Sequence, residues 1–84
     1  MNKLFEDKSF ADYIYWRNQD LKTFDKINRL LKSIERDGFM SGEGKPERLK
    51  YGAGYSRRID ETNRLVYKIE NDTIIIKSCK GHYE

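Results

Sequence analysis

The sequence predicts an α+β fold in the order β-α-α-β-β-β, with two helices packed on one face of a mostly antiparallel four-stranded sheet. Two observations carry this prediction. An apolar stripe at helical spacing runs through residues 24–34, and three β-rich segments separated by short polar turns follow it. The 84 residues give room for one modest core, so we expect a single domain over residues 1–84.

The first predicted strand lies in residues 1–6, around Lys3, Leu4 and Phe5. A helix is expected to follow, capped by Asp7 or Ser9, because short polar side chains accept hydrogen bonds from the first helical N–H groups. Its apolar positions at helical spacing are Phe10, Tyr13, Ile14 and either Trp16 or Arg17.

The second predicted helix has the clearer pattern. Its core-facing stripe consists of Phe24, Ile27, Leu30, Leu31 and Ile34. The rest of its circumference carries the cations Lys22, Lys26, Arg29 and Arg36, which are expected to face solvent. The helix should end at Asp37 and Gly38, because glycine readily adopts the left-handed conformation that closes a helix.

Residues 39–54 hold the only proline and several glycines, and they are predicted to be irregular. Strands are then expected at residues 55–59, 64–69 and 73–79, with turns at residues 60–63 and 70–72. These three segments supply the antiparallel part of the predicted sheet.

The length of the first turn sets the register of two arginines. A three-residue loop over residues 60–62 pairs Ile59 with Asn63 and places Arg58 close to Arg64 across the strands. A two-residue loop would put the two arginines on opposite faces. The second turn should bring Arg64 opposite residues 78–80.

Charge is mildly positive, with a net charge of +3 and a pI near 9.0, which is a weak bias toward polyanions. Arg57, Arg58 and Arg64 fall in two neighbouring strands, where like charges repel. Two explanations remain open at this stage. The arginines match a bound anion, or they face water and pair with acidic residues of the turns, Asp60, Glu61 and Glu70.

The single cysteine, Cys79, excludes an intramolecular disulfide, favours a reducing compartment and is expected to be a small buried hydrophobe. No apolar run approaches the roughly 20 residues of a membrane span, and no leader is recognisable. One histidine and one cysteine do not make a typical zinc site. We therefore expect a soluble, cytoplasmic protein without a membrane partner, metal or cofactor.

The only histidine, His82, should end at the same end of the sheet as Arg58 and Arg64. Glu47 would join them if the glycine-rich loop folds back over the sheet. A base, an acid and several cations suit RNA cleavage by the 2′-hydroxyl of the RNA itself. Taken alone, however, Glu47 is typical of a solvated loop residue, and a terminal His-Tyr pair is typical of tail sequence.

In this hypothesis Glu47 is the general base and His82 the general acid. Arg58 and Arg64 clamp the phosphate, since guanidinium groups bind phosphate through two parallel hydrogen bonds. The remaining substrate contacts are assigned to Lys45 and Lys50, which would hold the flanking RNA backbone, and to Tyr83, which would stack on a base or bond to the phosphate.

The chain also resembles the YoeB-type toxins of the RelE superfamily. The resemblance rests on five segments in the family's order: DYIYW at residues 12–16, GEGKPE at residues 42–47 with Leu49-Lys50, SRRI at residues 56–59, RLVY at residues 64–67, and the pair His82-Tyr83. Together they span almost the whole chain.

This resemblance implies a fold of the microbial ribonuclease kind and an mRNA endonuclease that acts in the ribosomal A site and stops translation. It implies that Glu47 is the base, His82 the acid and Arg64 the transition-state clamp, with Lys50, Arg58 and Tyr83 in the substrate site. It also implies a YefM-like antitoxin as partner, contact with the ribosome and its RNA, and a frequent dimeric state.

Two alternatives are considered beside it. A toxin of the ParE type, which poisons DNA gyrase, shares the fold but needs no acid–base pair. A non-catalytic module that binds nucleic acid or protein would use its arginines only to hold phosphate. Loss of activity on replacing His82 with alanine separates the enzyme from the binding module.

Overall fold

The computed structural model describes residues 1–81. Two helices pack on one face of a five-stranded sheet whose strand order is β1-β5-β4-β3-β2. The elements are β1 Asn2–Phe5, α1 Asp7–Gln19, α2 Leu21–Asp37, β2 Glu47–Arg48, β3 Tyr55–Arg58, β4 Arg64–Glu70 and β5 Thr73–Ser78. The predicted α+β architecture and the order of its elements are confirmed.

The predicted count of four strands is wrong, because β2 adds a fifth at the edge of the sheet. Glu47 pairs with Ser56 and Arg48 with Tyr55 in an antiparallel ladder. The backbone N–H of Leu49 then donates to the carbonyl of Gly54 at 3.0 Å and closes the connecting loop. A strand of two residues is too short to show a period-2 pattern, so the sequence carried no signal for it.

Neighbouring strands of the sheet are antiparallel, except for the pair β1 and β5. β1 runs parallel to β5, with Leu4 beside Ile75 and Phe5 beside Ile76. A parallel pair needs a crossover, and here α1, α2 and the other strands provide it.

The helix α2 supplies one wall of the core, as its stripe predicts. Ile27, Leu30, Leu31 and Ile34 are buried, and Phe24 is half-buried. Asp20 caps the helix by accepting from the backbone N–H groups of Lys22 and Thr23 at 3.1 and 3.3 Å. Gly38, with φ of 97°, ends it as predicted.

The interpretation of α1 needs correction. The helix begins at Asp7, and Ser9 is a buried helical residue whose hydroxyl donates to the carbonyl of Ile76 at 2.6 Å, so neither is the cap. Phe10 and Ile14 are 54% and 41% exposed rather than part of the core. Tyr13 and Trp16 pack against the core as their spacing predicts, while Ser9 and Asp12 add buried polar contacts that a search for apolar spacing does not detect.

Both hairpin turns follow their sequence signals. The backbone N–H of Ile59 donates to the carbonyl of Asn63 at 2.9 Å, so the first loop has the three residues 60–62 and Arg58 faces Arg64. Asn71 and Asp72, with φ of 49° and 58°, form the second turn. Within residues 1–81, neither helix is long and apolar enough to span a bilayer.

Candidate active site

Glu47 and Arg64 meet on the face of the sheet that points away from the helices, called here the open face and marked by Ser56, Arg58 and Arg64. Oε1 of Glu47 lies 3.4 Å from Nη1 of Arg64. The Arg64 side chain is only 15% exposed, whereas that of Glu47 is 58% exposed. The loop therefore folds back as the hypothesis required, and the β2–β3 pairing brings the carboxylate to the guanidinium.

Arg58 lies on the same face, exposed and directly opposite Arg64. Its guanidinium forms no ion pair with any residue from 1 to 81. Two of the three turn acids that could neutralise it are engaged elsewhere, and the third, Glu61, lines the same cavity as Arg58. Asp60 accepts the backbone N–H groups of Thr62 and Asn63 at 2.8 and 2.7 Å, and Glu70 pairs with Lys68 at 3.2 Å. Among residues 1–81, Arg58 therefore has no carboxylate partner, and it lies beside the Glu47–Arg64 pair.

Arg57 points the other way and is fully buried on the helix side of the sheet. Its guanidinium donates to the hydroxyls of Tyr67 and Ser33 and to the carbonyls of Gly38, Ser41 and Glu43, at distances of 2.6 to 3.2 Å. These acceptors use up its donors, so Arg57 serves the fold and not an anion. Strand alternation with Tyr55 and Ile59 was the signal that could have placed it.

Tyr67 completes this cluster by donating from its hydroxyl to the carbonyl of Phe39 at 2.6 Å. Burial raises the pKa of the Tyr67 phenol, against the opposing hydrogen bond and charge of Arg57. Together Arg57 and Tyr67 fix residues 38–43 from inside the protein. This stretch leads directly into the segment that carries Lys45 and Glu47.

Gly44 joins the glycine-rich loop to the sheet. Its carbonyl accepts the backbone N–H of Arg58 at 2.6 Å. Its φ is 91°, and an added Cβ would lie 2.8 Å from Cδ2 of Leu30 and 3.0 Å from Cβ of Arg57. Only glycine combines this conformation with so close an approach, so the path of the chain toward Glu47 is fixed here.

The two lysines assigned to substrate differ in placement. Lys45, with φ of 51°, lines a cavity of about 340 Å³ together with Lys26, Arg58, Ile59 and two turn acids. Lys45 and Arg58 therefore share one surface. Lys50 is exposed in the loop between β2 and β3, and within the described chain its ammonium group forms no ion pair.

The chain beyond β5 approaches Arg64 from the other side. The backbone N–H of Arg64 donates to the carbonyl of Gly81 at 3.0 Å, one residue past the range that the turn predicted. The backbone N–H of Gly81 donates to Oδ1 of Asn63 at 2.8 Å. The sequence patterns used Asn63 to set the hairpin register and assigned no functional role to it.

His82 and Tyr83, the predicted acid and stacking residue, lie outside the described residues. Cys79 lies inside them and is buried, as predicted. Burial, followed by the nearby Asp12 carboxylate, raises the pKa of its thiol to about 12. Among residues 1–81, no cluster of three or more His, Cys, Asp or Glu side chains is arranged to hold a metal ion.

Comparison with known proteins gives one consistent family. The family model described as "YoeB-like toxin of bacterial type II toxin-antitoxin system" matches residues 5–83. The toxin YoeB of Escherichia coli (strain K12) is 41% identical over 85 residues, covering 99% of this chain and 100% of the relative.

Two solved structures from Staphylococcus aureus agree closely with the fold. A YoeB dimer superposes with a TM-score of 0.94 at 49% identity, covering 99% of this chain and 98% of that one. A heterotetrameric YoeB–YefM toxin–antitoxin complex gives a TM-score of 0.91 at 48% identity, with the same coverage. The chain belongs to the family of YoeB-like toxins of bacterial type II toxin–antitoxin systems.

Proposed function

We propose that this toxin is a metal-independent endoribonuclease, one domain over residues 1–84, that cleaves mRNA in the ribosomal A site and stops translation. The observation that carries the proposal is the Glu47–Arg64 pair at 3.4 Å, with Arg58 beside it on the open face. A carboxylate next to two guanidinium groups supplies a proton acceptor and two phosphate ligands in one place.

In the proposed reaction, Glu47 acts as the general base and removes the proton from a ribose 2′-hydroxyl. The 2′-oxygen then forms a bond to the adjacent phosphorus, and the bond from phosphorus to the 5′-oxygen of the next nucleotide breaks. His82 gives a proton to that departing oxygen. The products are a 2′,3′-cyclic phosphate and a free 5′-hydroxyl.

Arg64 and Arg58 have distinct parts in this scheme. Arg64 is already held by Glu47 and by the sheet, so its guanidinium is positioned in advance for the charge that builds on the phosphate. Arg58 is exposed and is proposed to bind a non-bridging phosphate oxygen. Lys45, Lys50 and Tyr83 are proposed to bind the flanking nucleotides.

The proposed partners follow from the relatives. The S. aureus YoeB toxin forms a heterotetrameric complex with YefM and has also been solved as a dimer. We propose that this chain likewise binds a YefM-like antitoxin, can pair with a second copy, and acts in the cytoplasm on the ribosome. The exposed cations of α2, among them Lys22, Arg29 and Arg36, suit ribosomal RNA or an acidic antitoxin segment.

The test is mRNA cleavage by the purified toxin, mapped by primer extension with and without programmed ribosomes. His82→Ala should lower the rate about 10²-fold or more, and Glu47→Gln should lower it by a similar factor. Glu70→Gln is the matched control. Glu70 is also an exposed carboxylate of the sheet, but it pairs with Lys68 and lies at the opposite end of β4 from Arg64. It should cleave at the wild-type rate.

Cleavage confined to the ribosome-bound codon, and lost in the two variants, supports the proposal. Intact mRNA in every lane contradicts it. Inhibition of gyrase supercoiling would then support a ParE-like toxin. Full-rate cleavage by His82→Ala contradicts the assignment of the acid.

A further inference from the structure

The segment that follows β5 is held by side chains from distant parts of the chain. Oδ2 of Asp12 accepts the backbone N–H of Cys79 at 3.0 Å, and the indole Nε1–H of Trp16 donates to the carbonyl of Cys79 at 2.8 Å. Nζ of Lys8 donates to the carbonyl of Lys80 at 3.1 Å. The ammonium group of Lys80 lies 4.7 Å from the ring centre of Tyr15. The residues of α1 therefore fix residues 79 and 80.

Both backbone polar groups of Gly81 are hydrogen-bonded to consecutive residues of the β3–β4 hairpin. Its N–H donates to Oδ1 of Asn63 at 2.8 Å, and its carbonyl accepts the N–H of Arg64 at 3.0 Å. Its φ is 104°, a backbone conformation that other residues rarely adopt, and among the described residues beyond its chain neighbours no atom lies within 4 Å of an added Cβ. Glycine is thus favoured here by its backbone conformation.

The Asn63 amide is itself fixed in orientation. Its Nδ2 group donates to both carboxylate oxygens of Asp60, at 3.2 and 3.0 Å, which turns Oδ1 toward the N–H of Gly81. Burial alone would raise the pKa of Asp60, but the hydrogen bonds from Asn63 and Thr62 together lower it. Asp60, Asn63 and Gly81 therefore form one connected set of hydrogen bonds.

We propose that Asn63 is a positioning residue for His82, acting through Gly81, with Asp12 and Trp16 in the same role at Cys79. This inference rests on the proposed function. The guanidinium of Arg64 pairs with Glu47, and its backbone N–H donates to the carbonyl of Gly81, so the proposed phosphate clamp also holds the residue that precedes His82 in the sequence. The DYIYW segment thereby gains a function. Asp12 and Trp16, its first and last residues, bind the backbone of Cys79, which lies three residues before His82 in the sequence.

The first test is a double-mutant cycle on ribosome-bound mRNA, with Asn63→Ala, His82→Ala and the double variant. Asn63→Ala should lower kcat about tenfold and leave KM unchanged, since it misplaces a group that acts in the transition state. In the His82→Ala background it should have no further effect. Thr62→Ala, which loses only a turn contact to Asp60, is the matched control and should keep the wild-type rate.

Equal effects of Asn63→Ala in the two backgrounds would overturn the inference, because a merely structural residue lowers both rates alike. So would wild-type kinetics of Asn63→Ala. Trp16→Phe, which keeps an aromatic ring but loses the indole N–H, provides a second variant should Asn63→Ala fold poorly. It should show the same dependence on His82.

The second readout does not depend on cleavage. His82 is the only histidine, so the carbon–proton NMR signal of its imidazole Cε1 has no counterpart elsewhere in the chain and can be followed through a pH titration. Asn63→Ala should shift that signal and its apparent pKa, and Thr62→Ala should not. If the wild-type toxin cleaves no RNA, the proposed function fails, and an imidazole signal unchanged in Asn63→Ala separately overturns the positioning role.

Discussion

Arg58 and Arg64 face each other directly across the β3–β4 ladder. Like charges in this relationship destabilise a sheet, and only Arg64 has a carboxylate partner among residues 1–81. A phosphate between the two guanidinium groups would remove the repulsion. The sheet thus carries a local instability at the point where the substrate is proposed to bind.

Replacing Arg58 with glutamine should therefore raise stability and lower activity together. We expect the free energy of unfolding to rise by about 0.2–1 kcal/mol, because the cross-strand repulsion is removed. Cleavage should fall, because a phosphate contact is lost. Urea denaturation and the ribosomal cleavage assay measure the two effects, and high salt, which screens the repulsion, should narrow the stability difference. A less stable Arg58→Gln protein contradicts this account.

Replacing Arg57 should lower the stability of the protein, in contrast to replacing Arg58. Arg57→Met removes the donors for two hydroxyls and three backbone carbonyls in the interior, so we expect a loss of about 3 kcal/mol or more. Tyr67→Phe removes one hydroxyl of the same cluster and should cost about 1–3 kcal/mol. Urea denaturation of both variants measures the difference. An Arg57→Met protein as stable as wild type would show that the loop is held by other contacts.

Two glycines of the loop region offer a matched pair. Gly44→Ala and Gly52→Ala both place a side chain at positive φ, 91° and 79° respectively. Each should lose about 1–2 kcal/mol from backbone strain. Gly44→Ala should lose more and should also slow cleavage, because its Cβ would meet Leu30 and Arg57, whereas open space surrounds Gly52. Equal stability of the two variants contradicts the close approach at Gly44.

Cys79 should be unreactive in the folded protein. Burial raises its thiol pKa to about 12, so thiol reagents should fail to modify it at pH 8 until denaturant is added. The pH dependence has a defined sign. The folded pKa exceeds the unfolded value of about 8.5, so the thiol's contribution to stability is complete below that pH and is lost as pH rises toward 12.

Urea denaturation between pH 7 and 10 tests this sign. The wild-type protein should lose stability over that range by more than Cys79→Ala does, since the alanine variant has no thiol to ionise. Equal slopes for the two proteins would contradict the raised pKa.

The sequence predicted well those parts of the fold in which a side-chain pattern is compatible with a single local structure. The α2 stripe ended in the core because a period of 3.6 has no other stable placement. The Arg58–Arg64 register was one of two alternatives that the turn allowed, and the three-residue loop over residues 60–62 is the one observed. In each of these cases local chemistry decided the outcome.

The parts that sequence missed depend on contacts between distant residues. Phe10 and Ile14 fit the helical spacing but are exposed. Beside Tyr13 and Trp16, α1 packs through the buried Ser9 and Asp12, whose hydrogen-bond partners lie in and after β5. Arg57 reads as a surface cation until Ser33 and three loop carbonyls surround it. Asn63 shows its second role only when Gly81 reaches it.

The β1–β5 ladder joins the first and last strands that the structure describes. During synthesis, residues 2–5 leave the ribosome long before residues 73–78 exist. Until then the core lacks Ile74 and Ile76, and Ser9 and Asp12 of α1 have no sheet to bind. Folding of such sequence-distant strands is also slow. We therefore expect the nascent chain to remain inactive throughout its own translation. On the proposed function, a cell can then make the toxin without stalling the ribosome that produces it.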